Sequence, residues 1–104
     1  MTNFLFKFAH EINKRIMNNT YLFSEAKAWV KRMHGPDEVV KIIPVAETGG
    51  SVLSYELYVA YDAPEYLGRI LFDSEGYWIY DGDFFSVTEQ EQLARFICNY
   101  VESV

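Results

Sequence analysis

The sequence predicts an α+β fold: a single domain over residues 1–104, with elements in the order α-α-β-β-β-β-α and a four-stranded antiparallel meander packed by helices. Three observations predict it. Apolar residues recur with the helical period towards both ends of the chain, and an alternation of period two runs through its middle. The breaks between segments are short and rich in Gly, Pro, Asn and Asp. With 104 residues, half of them apolar and 17% aromatic, the chain is long enough for one real core and is not the composition of a disordered polymer.

Residues 4–17 read as a first helix, in which Leu5, Phe8, Ala9, Ile12 and Ile16 form the apolar stripe and Lys7, Glu11, Lys14 and Arg15 lie off it. Asn18, Asn19 and Thr20 end it, because their side chains compete for the backbone. Ser24 is placed to cap a second helix that buries Ala26, Trp29, Val30 and Met33 and wets Lys27, Lys31 and Arg32. His34-Gly35-Pro36 then stops it.

From Val39 to Val45 the residues become β-branched, which predicts a first strand. Pro44 cannot donate to a ladder, so this strand is expected at an edge. Glu47-Thr48-Gly49-Gly50 is a turn. Leu53, Tyr55, Leu57, Val59 and Tyr61 alternate with Ser54, Glu56, Tyr58 and Ala60, the cleanest strand signal in the chain. After the break at Asp62-Ala63-Pro64-Glu65, Leu67–Phe72 and Tyr77–Tyr80 are strands three and four. Thr88-Glu89-Gln90-Glu91 reads as a capping box that opens a last helix, with Leu93, Phe96, Ile97, Tyr100, Val101 and Val104 on its apolar face.

The stretch FDSEGYWIYDGD concentrates four carboxylates, Asp73, Glu75, Asp81 and Asp83. A hairpin explains them better than a metal cage. A three-residue loop with Gly76 in the left-handed conformation pairs Asp73 with Tyr77, Phe72 with Trp78 and Ile70 with Tyr80. Asp73 and Asp81 then lie on the order of 13 Å apart, at about 3.3 Å per strand residue. A hard cation holds its oxygens at about 2.0–2.6 Å, so one ion cannot collect all four. The spacing also fails the calcium-loop pattern, since Tyr77 and Trp78 fall where an acid and a glycine belong.

The remaining chemistry-bearing residues point away from catalysis. His10 sits at the edge of the first helix's stripe, and His34 at the predicted end of the second helix, where a cation suits the dipole. Cys98, the single cysteine, lies in the C-terminal half of the last helix, where the dipole opposes a thiolate. It can form neither an internal disulfide nor a Cys-based zinc site. No nucleophile elbow and no phosphate loop is present. The expectation is a non-enzymatic chain with no catalytic residue, metal or cofactor.

A net charge of −6 disfavours direct nucleic-acid binding. No apolar run approaches the roughly 18 residues that span a bilayer, and the start has no basic n-region or cleavage site of a signal peptide, so a cytoplasmic location without membrane contact is expected. The hairpin register leaves both faces of the sheet apolar. The face carrying Tyr58, Arg69, Leu71, Tyr77 and Ile79 is the expected contact surface of a small acidic protein-interaction domain, either a homodimer or an adaptor. Two other functions compete with it. The acid-rich second half suits an inhibitor of the kind phages and plasmids encode, which competes for the nucleic-acid-binding groove of a partner protein. A small-ligand pocket lined by Trp29, Tyr55 and Trp78 is the third.

Overall fold

The structure is a computed structural model that describes residues 21–45, 52–61 and 63–100. Five strands follow one another as an antiparallel meander: β1 (Ala26–Val30), β2 (Glu38–Val45), β3 (Leu53–Val59), β4 (Tyr66–Phe72) and β5 (Trp78–Asp81). One helix, α1 (Val87–Cys98), closes the order β-β-β-β-β-α and packs on one face of the sheet. The expected order α-α-β-β-β-β-α is therefore corrected to five strands and a C-terminal helix. The first helix expected over residues 4–17, the turn at Glu47–Gly50, and Val101 and Val104 lie outside the described residues.

The correction falls on the segment expected to be a second helix. Ala26, Trp29, Val30 and Met33 fit a helical stripe, but Ala26, Ala28 and Val30 also alternate with Lys27 and Trp29. The second pattern is the one adopted: β1 pairs with β2 from Ala26–Ile42 to Val30–Glu38. Ala28 and Val30 enter the core, whereas Trp29 and Met33, expected to be buried, are 70% and 74% exposed. Two alanines raise the local helix propensity, but five residues of it weigh little against a full ladder with β2.

Adding β1 moves the strand bearing Pro44 away from the sheet edge, yet Pro44 keeps an edge-like environment. The amide of Ala60 donates to the carbonyl of Val39, so Val39, Lys41 and Ile43 turn their peptide groups towards β3 and the even-numbered residues turn theirs towards β1. Pro44 would direct an N–H towards β1, whose pairing has already ended at Ala26–Ile42. The missing donor costs no ladder bond there.

The hairpin forms in the predicted register, with Phe72 opposite Trp78 and Ile70 opposite Tyr80. The amide of Asp73 donates to the carbonyl of Tyr77, and Gly76 has φ +91°, the conformation this loop requires. Oδ1 of Asp73 accepts from the amides of Glu75 and Tyr77, both at 2.9 Å, which ties the loop from within. At the other end of β4 the register shifts between Leu57 and Tyr58. Gly68 lies opposite Leu57 with φ +114°, and a Cβ there would meet the Asp81 carbonyl at 2.7 Å. This irregularity places Leu67 in the core and leaves Tyr66 opposite Tyr58.

The core lies between the sheet and α1. Val40, Ile42, Leu57, Ile70 and Phe72 from the strands meet Leu93, Ala94, Ile97 and Cys98 from the helix. Full burial of each large aliphatic or aromatic side chain stabilises by about 1.5–3 kcal/mol. Ser86, rather than Thr88, caps α1. The amide of Glu89 donates to Ser86 Oγ at 3.3 Å, and the amide of Ser86 donates to Glu89 Oε1 at 2.8 Å. The same capping spacing occurs twice in Ser86-Val87-Thr88-Glu89-Gln90-Glu91. The earlier one is used, and it places Glu89 beside Arg32: the two pair at 2.8 Å, with Arg32 also 3.5 Å from Glu38. Burial raises the Glu89 carboxyl, but the Ser86 amide and the Arg32 guanidinium outweigh it and hold the group below the usual carboxylate range. Arg32 also lies over the ring of Phe84, at 4.6 Å from its centroid. The β1–β2 loop is thereby fastened to the start of the helix.

Candidate functional site

Strand parity divides the side chains into two faces. α1 covers the one that carries Ala28, Ile42, Leu57, Ile70 and Trp78. The other, here the outer face, receives Trp29, Val39, Lys41, Ile43, Tyr58, Arg69, Leu71 and Ile79. No described helix lies against it. All five residues expected at a contact surface are on this face. Leu71 sits between Ser54 and Ile79 in the cross-strand register, and Tyr77 follows the parity of Ile79 next to the hairpin loop. Ile79 is 45% exposed.

The polar members of the face form a row across the sheet. Glu56 opposes Arg69, which opposes Asp81. Arg69 Nε reaches Asp81 Oδ2 at 3.1 Å, an exposed pair worth under about 1 kcal/mol. The Tyr58 hydroxyl donates to Glu56 at 2.9 Å, and this bond is the main reason its phenol is raised above the ordinary value. The ring of Tyr58 meets that of Tyr66 edge-on at 5.5 Å.

Three residues that sequence reasoning missed enlarge the surface. Trp29 extends it at the β1 edge, Tyr66 (52% exposed) joins it through the irregularity at Gly68, and Tyr61 (57% exposed) adds to it beyond the end of β3, where Lys27 Nζ stands 6.0 Å from its ring. The signal for Trp29 was the alternation of Ala26, Ala28 and Val30. No local signal marks the displacement of Tyr66.

The other expected constellations come apart. Asp73 and Glu75 are at the loop end of the hairpin, while Asp81 is four ladder positions away on Arg69 and Asp83 follows it. Among the described residues no group of three His, Cys, Asp or Glu side chains converges as metal ligands would. Trp29 is on the outer face while Tyr55 and Trp78 are in the core, so the pocket expected between them is not formed. His34 is exposed in the β1–β2 loop and ends no helix, and His10 lies outside the described residues. Burial pushes the Cys98 thiol up to about 11, which keeps it protonated near neutral pH.

Two open clefts are lined by described residues. One, of about 470 Å³, is lined by Glu65, Asp81 and Asp83 with Tyr66 and Phe84. The other, of about 370 Å³, lies at the far end of the sheet between Tyr21, Phe23, Pro44 and Leu53. Among the described residues no helix is long and apolar enough to cross a membrane. Comparison with known proteins finds no match for the chain: no family profile, no curated sequence and no solved structure.

Proposed function

We propose that the chain is a non-enzymatic protein-interaction domain that works through the outer face of its sheet, in a reducing, cytoplasmic setting. The observation that carries this reading is the exposure of Trp29, Tyr66 and Ile79 on a face that also holds Tyr58 and Leu71, while α1 occupies the opposite side. Large apolar and aromatic side chains gathered on one surface mark binding sites. Tyrosine, tryptophan and arginine in particular anchor protein contacts. The Glu56–Arg69–Asp81 row supplies a polar register for a partner to match.

The test uses Ile79→Arg, which places a charge on the outer face without touching the core. Captured partners from the cells that make the protein are expected to be lost with Ile79→Arg and kept with Glu91→Lys on the exposed side of α1. Retention of the same partners by Ile79→Arg overturns the proposal. Light scattering then separates the two occupants. A dimer mass that falls to the monomer in Ile79→Arg assigns the face to self-association, and an unchanged mass assigns it to another protein.

A second reading draws on the cleft lined by Glu65, Asp81 and Asp83. Its carboxylates suit the basic groove of a nucleic-acid-binding protein. On that reading, binding weakens steeply with salt and is lost in Asp83→Lys rather than in Ile79→Arg.

A further inference from the structure

The free edge of β1 has a definite pattern of open and closed groups. Val40 directs its peptide groups towards β1 and faces Ala28, so Ala26, Ala28 and Val30 pair with β2, whereas Lys27, Trp29 and Lys31 direct their N–H and C=O away from the sheet. At Lys31 these groups are satisfied by one side chain. Its amide donates to Gln92 Oε1 at 2.8 Å, and its carbonyl accepts from Gln92 Nε2 at 2.9 Å. The amide of Gln92 thus offers the donor and acceptor that a neighbouring strand would offer, and it closes that end of the edge. No described group does the same at Lys27 or Trp29, and both residues are exposed.

We infer that this edge is a β-augmentation site filled by β1 of a second copy, running antiparallel, with Lys27 of each chain opposite the partner's Trp29. The choice of occupant follows from the registers available. Only outward-directed residues can exchange hydrogen bonds across the new ladder. Pairing Lys27 with the partner's Lys27 sets like charges face to face. Pairing Trp29 with the partner's Trp29 sets Lys27 against the partner's Lys31, a like charge whose backbone groups Gln92 already holds. The remaining register exchanges all four open backbone groups on each chain. It stacks an ammonium against an indole twice on the outer face and brings Glu25 to the partner's Lys31 at each end.

The opposite edge is less suited. β5 directs Trp78 and Tyr80 outwards, but Asp73 and Glu75 flank one end and Asp81 and Asp83 the other, so a second copy there meets its own charge. A lysine in mid-edge ordinarily protects against strand addition. Here it discriminates, because only a strand that presents an aromatic or acidic side chain opposite it pairs well. The assembly is a ten-stranded sheet with both α1 helices on one side and the two outer faces merged on the other. It draws Trp29 into the seam and leaves Leu71 and Ile79 of each outer face to another contact.

Sedimentation across a wide concentration range tests the assignment, with circular dichroism confirming that each variant folds. The wild type is expected to pass from monomer to dimer mass. Trp29→Lys puts like charges opposite each other and raises the dissociation constant at least tenfold. Adding Lys27→Glu to it sets opposite charges across the ladder and restores the dimer. Trp29→Pro removes an outward N–H without touching the β1–β2 ladder and also weakens the dimer tenfold or more. A wild type that is monomeric throughout, a dimer indifferent to Trp29→Lys, or a charge swap that fails to restore it overturns the inference. So does a dimer that Ile79→Arg dissolves while Trp29→Lys leaves it intact, which returns self-association to the outer face.

Discussion

The two faces of the sheet are built from the same strands and both carry apolar side chains, yet they have different fates. On the covered face, Ile42, Leu57, Ile70 and Phe72 reach 0% exposure beneath Leu93 and Ile97, and Arg32 clamps the start of the helix through Glu89. On the outer face the same alternation leaves Trp29 70% and Ile79 45% exposed. Apolar patterning thus specifies a buried surface but not what buries it. The covered face finds its partner within the described chain through capping, charge and packing together. The outer face sets its row of charges and rings beside Leu71 and Ile79, and no described helix packs against it.

Truncation on each face sharpens this contrast most. Phe72→Ala removes a ring that Tyr21 and Tyr55 meet edge-on at 5.1 and 5.8 Å, and it is expected to cost about 3–5 kcal/mol. Ile79→Ala is expected to cost less than about 1 kcal/mol while still weakening partner capture. Urea unfolding of both variants measures the gap. Equal losses would mean that the outer face is as tightly packed as the core.

The clamp offers a smaller effect with a pH signature. Arg32→Met leaves Glu89 nearly buried without its cation and is expected to cost about 2–3 kcal/mol at neutral pH. The sign follows from linkage. Glu89 has a folded pKa below its unfolded value, so its stabilisation is present above the unfolded pKa near 4.5 and is lost as pH falls through the folded one. Unfolding followed from pH 7 to pH 3 should therefore show the wild type losing its advantage over Arg32→Met in the acid range. A constant difference across that range would remove the charge from the explanation and leave only packing against Phe84.

What was legible in the sequence divides along the same physical line. The hairpin could be read because its chemistry is local: Gly76 supplies the positive φ and Asp73 bonds its own loop. From that register, parity alone placed Arg69, Leu71, Tyr77 and Ile79 on one face, and the long alternation of β3 added Tyr58. β1 could not be read, because five residues with two alanines satisfy both periods and only the neighbouring strand decides between them. Tyr66 was hidden for a related reason: the register shift depends on Gly68 packing against Asp81 and Tyr80, thirteen and twelve positions downstream. The capping box was recognisable as a pattern, but its spacing occurs at both Ser86 and Thr88, and the Arg32 that pairs with Glu89 of the box in use is remote in sequence.

The finest test of the contrast lies within the covered face, at a stranded polar atom. Trp78 is 6% exposed, and its indole Nε1 has no hydrogen-bond partner among the described residues. Leaving such a donor buried costs about 1–3 kcal/mol. Trp78→Phe removes it and keeps an aromatic ring in place, at a loss of about 1 kcal/mol or somewhat more for the volume given up. The two contributions oppose each other, so the variant is expected to unfold within about 1 kcal/mol of the wild type, far less than the loss at Phe72→Ala. Chemical denaturation monitored by circular dichroism measures it. A loss of 3 kcal/mol or more would mean that the indole N–H is satisfied after all, and that close packing governs the whole covered face without exception.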